Sequence, residues 1–162
     1  MIYLETERLI LRDYREDDFN EYYRLKSDSK TMYYLQDIQL HTKEEAYDDF
    51  HKVLDDMSKV DRKFYFMHIE LKDTYPEFWG KGYITEAFQR VLAYAFSDNN
   101  VYRVSTGCLA DNIGSERVMQ KCGLIKEAEH IDYEWHDGKM KTRLEYRLLK
   151  REWEKTAPSI TY

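Results

Sequence analysis

The chain has 162 residues, a formal net charge of −6 and a sequence pI near 5.4. That length suits one domain with a core of its own, and the acidic balance argues against nucleic acid as the main partner. Its two cysteines, Cys108 and Cys122, stand at no metal-ligand spacing and make no disulfide framework, so no metal is expected. Charged residues begin at Glu5, and no run of 18 apolar residues occurs, which argues against a secretory leader and a membrane span. A cytoplasmic location is the expectation.

Residues 3–14, rich in Leu, Ile and Tyr, read as a first strand. Glu16 to Lys26 places Phe19, Tyr22, Tyr23 and Leu25 behind Asp17 and Asp18, the pattern of a short helix with an acidic first turn. Thr42 and Glu45 have capping-box spacing, and Ala46, Phe50, Val53, Leu54 and Met57 continue as one apolar stripe of a longer helix, read as core packing. Lys63 to Leu71 alternates, with Tyr65, Met67, Ile69 and Leu71 on one face and Phe64, Phe66, His68 and Glu70 on the other. This predicts a strand paired with the first. His68 is a catalytic candidate by residue type alone, and a lone strand histidine is more often structural.

Past Asp73 comes Pro76-Glu77-Phe78-Trp79-Gly80-Lys81-Gly82-Tyr83-Ile84-Thr85-Glu86-Ala87, a turn with two glycines that runs straight into helical periodicity at Ile84, Ala87, Phe88, Val91, Leu92 and Ala95. Glycines before a helix let backbone N–H groups converge where the first helical turn has unpaired donors and a positive dipole end. Such a turn is able to cradle a pyrophosphate. Gly82 follows Lys81 where a Walker motif needs Ser or Thr, and the dinucleotide fingerprint lacks its third glycine. On spacing alone, a plain turn and a phosphate site both stand. Downstream, Ser97 to Asn100 is a polar turn and Val101 to Leu109 a strand. Asp111 or Asn112 caps a helix that ends at Gly123. Glu127 to Trp135 and Lys141 to Leu149 flank Asp137-Gly138, a strong hairpin signal. Glu152 to Tyr162 carries no clear pattern. The order of elements predicts an α/β layer fold with a mixed, mostly antiparallel sheet flanked by helices, spanning 1–162 as a single domain.

The glycine stretch resembles the coenzyme A pyrophosphate loop of the GNAT acyltransferases, in the branch that acetylates protein N-termini and small amines, the ribosomal-protein-alanine acetyltransferase type. Two further stretches are similar to that branch in the right order: Leu4-Glu5-Thr6-Glu7-Arg8-Leu9-Ile10-Leu11-Arg12 to its opening strand, and Asp111 to Leu124 to its Asn-x-x-Ser helix with the turn after it. The resemblance implies a GNAT fold and acetyl-CoA as co-substrate. The acceptor it implies is a primary amine, as a small molecule or a protein N-terminus, and homodimers are common among such proteins. Phe78, Trp79, Gly80, Lys81, Gly82 and Tyr83 then hold the pyrophosphate, Asn112 contacts the pantetheine arm, and Ser115 lies near the cofactor sulfur, where it protonates the departing thiolate. Glu134 falls where relatives place a catalytic glutamate, and its bland alternative is a solvent-facing strand carboxylate. Asn112 has an equally bland alternative as a helix cap. Cys108 as an acyl nucleophile has no histidine at a recognisable spacing.

One departure stands out. Where the family has a hairpin and a further central strand before the glycine loop, this chain moves from Asp73 to Thr74 with two or three residues to spare. Further residues at this point, a natural or engineered deletion, and a strand supplied by another chain are the alternatives. A true loss of the strand would favour a coenzyme A-binding or protein-interaction module without catalysis over the acetyltransferase.

Overall fold

The structure is a computed structural model and describes residues 1–73 and 80–156. These form two compact units. One comprises Met1–Glu5 and Leu9–Lys72, the other Thr6–Arg8 together with the chain from Asp73 onward.

In the first unit, β1 (Tyr3–Glu5), β2 (Leu9–Arg12) and β3 (His68–Leu71) form an antiparallel sheet in the order β1-β2-β3. The single strand expected over residues 3–14 is therefore two strands, folded back so that Leu4 opposes Leu11. Leu4, Leu9 and Leu11 are buried. α1 (Phe19–Ser27) follows a short tight turn at Glu16–Asp18, and α2 (Lys43–Ser58) packs against it. The capping box of α2 is present in full. Thr42 Oγ1 accepts from Glu45 N–H at 3.1 Å, and the Glu45 carboxylate accepts from the N–H groups of Thr42 and His41. Tyr22, Phe50 and Val53 centre a core that Tyr14, Phe19 and Leu54 complete, with Tyr22 and Phe50 rings 4.9 Å apart.

The strand expected over Lys63 to Leu71 is shorter, His68–Leu71, because its partner β2 ends at Arg12, which pairs with His68. Ile69 is exposed, whereas His68 and Glu70 turn toward Arg12. Arg12, only 5% exposed, donates to both Asp18 oxygens, at 2.6 and 2.8 Å, and to Glu70. Asp18 also takes the Arg15 N–H at 2.7 Å.

In the second unit, α3 (Tyr83–Ala93) continues into a wider turn over Tyr94–Asp98. β4 (Arg103–Leu109), α4 (Ile113–Lys121), β5 (Ile125–His136), β6 (Lys139–Leu149) and α5 (Lys150–Thr156) follow. The sheet order is β4-β6-β5, and each pair is antiparallel. Phe96, Leu92, Met119, Leu144, Tyr146 and Leu148 form the core between α3, α4 and the sheet, and Trp153 of α5 joins it against Phe96 with ring centres 5.5 Å apart. The hairpin between β5 and β6 has Asp137 at φ 51° and Gly138 at φ 76°, the two left-handed residues that a type I′ turn requires. α4 ends with Gly123 at φ 82°, where the Leu124 N–H reaches back to Met119 C=O at 3.0 Å. The tail, unreadable in sequence, holds α5. Glu152 accepts from Leu149 N–H at 3.0 Å and pairs with Arg147, capping the helix start.

Among the described residues, no strand lies between β3 and β4 along the chain. The region of the short Asp73–Thr74 junction, with Phe78 and Trp79, falls at residues 74–79, outside the described residues.

Candidate functional site

Gly80 and Gly82 have φ of +78° and +81°, a conformation that costs L side chains roughly 1–2 kcal/mol per residue. Gly82 is the N-cap of α3, and its carbonyl accepts the first helical hydrogen bond from Glu86 N–H at 3.0 Å. Two left-handed glycines two residues apart thus deliver the chain into an 11-residue helix whose first N–H groups lack intrahelical partners. This geometry fits a pyrophosphate: close backbone approach, unpaired donors and a positive helix end. Lys81 and Tyr83 stand within the same turn.

Behind the turn lies a group to which the sequence reading gave no role. Glu86 accepts from Thr6 Oγ1 at 2.5 Å, from Arg8 N–H at 3.0 Å and from Arg8 Nε at 2.6 Å. The Arg8 guanidinium also donates to Lys81 C=O at 3.0 Å and lies 4.6 Å from the centre of the Tyr83 ring. Burial works to raise the Glu86 carboxyl, but the Thr6 and Arg8 hydrogen bonds outweigh it and hold the group below its ordinary value. An open cavity of about 390 Å³ runs beside these residues, with Gly82, Thr85 and Lys121 in its wall. Thr6-Glu7-Arg8 lies in the opening-strand stretch and Thr85-Glu86 in the glycine stretch. Nothing in the sequence pairs residues 78 positions apart.

At the second motif, Asn112 caps α4. Its Oδ1 accepts from Ser115 N–H at 3.1 Å, which is the bland role of a capping asparagine and brings Asn112 and Ser115 together. Ser115 is half-buried on the first turn. Nearby Cys108 is buried with its Sγ 3.9 Å from Asn112 C=O, and burial followed by the Glu116 charge pushes its thiol up. Cys122 is raised to about 11 by burial alone. Both thiols are therefore protonated at neutral pH and poor nucleophiles.

Glu134 stands on β5 opposite Lys141, and Lys141 in turn pairs with Asp111, the residue before the α4 cap. The strand register thus carries Glu134 toward the start of α4. Its Oε2 accepts from Arg143 Nη1 at 3.0 Å, and Arg143 also donates to Glu145 Oε1 at 2.6 Å. Arg143 and Glu145 were not anticipated. Gly107, across from Glu145, leaves space that this carboxylate occupies: a Cβ there would stand 2.8 Å from Glu145 Oε2 and 2.6 Å from Leu144 C=O. A bulge at Ile131–Tyr133, with Asp132 at φ 48°, sets the position at which Glu134 re-enters the ladder.

His68 belongs to the Arg12 cluster, edge-on to Tyr14 at 5.4 Å and 3.8 Å from Glu70. Asp18, His68 and Glu70 bring ligand atoms within 4.8 Å of one another, but Arg12 binds both carboxylates, so a cation placed there would meet a guanidinium.

Comparisons with known proteins agree with this arrangement. A family model described as an acetyltransferase (GNAT) domain matches residues 74–125. The uncharacterized N-acetyltransferase YnaD of Bacillus subtilis is 28% identical over 175 positions, covering 94% of this chain and 99% of the relative. Since 94% of 162 residues is about 152, about 23 of those positions carry no residue of this chain. The putative ribosomal N-acetyltransferase YdaF of Bacillus subtilis is 36% identical over 78 residues, 48% of this chain and 43% of the relative. Among solved structures, an acetyltransferase (GNAT family) from Bacillus anthracis superposes with a TM-score of 0.73 at 24% identity, covering 93% of this chain and 99% of the other. A spermidine N-acetyltransferase from Vibrio cholerae, in complex with CoA and spermine, gives 0.72 at 15% identity, covering 92% and 99%. Residues 74–125 thus match the GNAT acetyltransferase domain, and the chain has the fold of the GNAT acetyltransferases.

Proposed function

We propose that the chain moves an acetyl group from acetyl-CoA to a primary amine, a small molecule or a protein N-terminus, by direct attack. The observation that carries the reading is the left-handed pair Gly80 and Gly82 at the start of α3. The relatives support it: one solved structure is a spermidine N-acetyltransferase with CoA and spermine, and one curated relative is a putative ribosomal N-acetyltransferase. Gly80, Lys81, Gly82 and Tyr83 hold the pyrophosphate in this reading, and Asn112 meets the pantetheine arm. Phe78 and Trp79 keep the assignment that the resemblance gives them.

Bound acetyl-CoA supplies a thioester as the acetyl donor. Glu134 takes the proton that an ammonium acceptor must lose, directly or through a water, and Arg143 fixes one of its oxygens. As the new C–N bond forms and the C–S bond breaks, the Ser115 hydroxyl gives a proton to the departing sulfur and takes up, directly or through a water, the second proton that the acceptor nitrogen loses. The reading also takes residues 1–162 as one acetyltransferase domain, places it in the cytoplasm, and keeps the homodimer that the resemblance implies.

Glu134→Gln is expected to slow transfer at neutral pH by roughly a hundredfold, the lower range for general-base loss, while leaving coenzyme A affinity nearly intact. Equal rates for the two proteins would remove Glu134 from the mechanism. The donor site is tested first by calorimetric titration of the folded protein with acetyl-CoA, for which micromolar binding is expected. Folded protein that takes up no acetyl-CoA overturns the reading.

A further inference from the structure

We propose that Arg8 is a positioning residue for the donor turn, holding the Lys81–Gly82 peptide in the orientation that receives the pyrophosphate. The proposal rests on the acetyl-CoA reading above and deepens it.

The guanidinium meets three parts of the turn at once. Its Nη1 donates to Lys81 C=O at 3.0 Å, its Nε donates to Glu86 at 2.6 Å, and its central carbon lies 4.6 Å from the centre of the Tyr83 ring. The described residues contain no cis peptide bond, so the N–H of the Lys81–Gly82 peptide points opposite its C=O. A guanidinium that holds Lys81 C=O therefore turns the Gly82 N–H away from itself, onto the other side of the turn. The carbonyl of Gly82 is fixed as well, by Glu86 N–H at 3.0 Å. The Lys81–Gly82 peptide is thus held by the Arg8 side chain and the Gly82–Tyr83 peptide by the first hydrogen bond of α3.

Glu86 is in turn anchored by Thr6 Oγ1 and by the Arg8 backbone N–H, so its carboxylate joins two segments distant in sequence. Arg8 is 38% exposed and Glu86 19%, so the pair is neither a screened surface contact nor a core element. Lysine is a poor substitute, because a single ammonium cannot serve the carboxylate, the carbonyl and the ring in the fixed fork of arginine.

The test is calorimetric titration with coenzyme A of the full chain and its Arg8→Lys, Arg8→Ala and Glu86→Gln variants, with a thermal melt of each. The dissociation constant is expected to rise about tenfold in both Arg8 variants while the stoichiometry stays near one. The double variant Arg8→Ala/Glu86→Gln should bind no more weakly than Arg8→Ala, since both changes release the same contact. A role in stability alone would lower the melting temperature and the fraction of sites while leaving the dissociation constant of the folded fraction unchanged, which overturns the assignment. If Arg8→Ala does not fold, Arg8→Lys carries the measurement. Absence of binding by the unaltered chain overturns the donor reading itself, and the assignment with it, a result separate from unchanged affinity in the variants.

Discussion

Gly82→Val is expected to weaken coenzyme A binding roughly tenfold or more, from left-handed strain of about 1–2 kcal/mol that is larger still for a β-branched residue. The cause is conformational rather than a collision. A Cβ at Gly82 would have Arg8 Nη2 as its nearest neighbour, at an ordinary 3.9 Å, but φ of +81° excludes valine. The side chain forces φ negative, which rotates the Lys81–Gly82 peptide and breaks the bond from Glu86 N–H to Gly82 C=O. Asparagine tolerates the left-handed region better, so Gly82→Asn should lose less affinity than Gly82→Val. Calorimetry on the three proteins checks the order. Equal affinities would mean that the turn connects elements and holds nothing.

Arg12→Met should be the most damaging single change to stability in the first unit. Removing the guanidinium leaves Asp18 charged and buried, which costs about 3–5 kcal/mol, equivalent to a drop of roughly 10–15 °C in melting temperature for a chain of this size. The Arg12 hydrogen bonds hold the Asp18 carboxyl below its ordinary value against the opposing effect of burial. A depressed carboxyl contributes stability above its unfolded value, 3.8, and loses it as pH falls through the folded value. The unaltered chain therefore weakens on acidification below about pH 4. Without the guanidinium the largest influence lowering Asp18 is gone, and burial is opposed only by the Arg15 N–H and the His68 charge, so the variant loses less stability than the unaltered chain on acidification and the gap between the two proteins narrows toward acid. Urea melts at neutral pH and at about pH 3, inside the window where the depressed carboxyl takes up its proton, give both numbers. A constant gap would show that Asp18 draws little from Arg12.

What could be read ahead of the structure were features confined to one stretch of chain. Thr42 with Glu45, Asp137 with Gly138, and Asn112 with Ser115 each depend on residues within three positions of one another, where local backbone geometry decides the outcome. The apolar periodicity of α3 was likewise legible, because one face of a helix repeats at fixed spacing. Tertiary contacts were not. The reversal between Glu5 and Leu9 carries no Gly or Pro to announce a turn, so two short strands read as one. The alternation of β3 did not say which face turns inward; Arg12 draws polar His68 and Glu70 toward it while Ile69 stays exposed. α5 has Trp153 as its one large apolar residue, and a single anchor gives no period. Around the candidate site, Arg143 with Glu134 and Arg8 with Glu86 join separate elements, so their partners emerge only once the chain is folded.

The bulged course of β5 bears on how the molecule behaves in a crowded solution. β5 is a 12-residue strand at the border of its sheet, and it displays Ile131, Tyr133 and Trp135 to solvent. A straight border strand with such side chains would template growth of the sheet onto neighbouring molecules, the first step of aggregation. Here the register breaks at Glu127 and again over Ile131–Tyr133, and Lys126, Glu127, Glu129, Asp132 and Glu134 place charged side chains along the strand. An incoming strand finds only short runs of aligned donors and acceptors before the ladder shifts. The kinks that set the position of Glu134 thereby also serve the solubility of the chain.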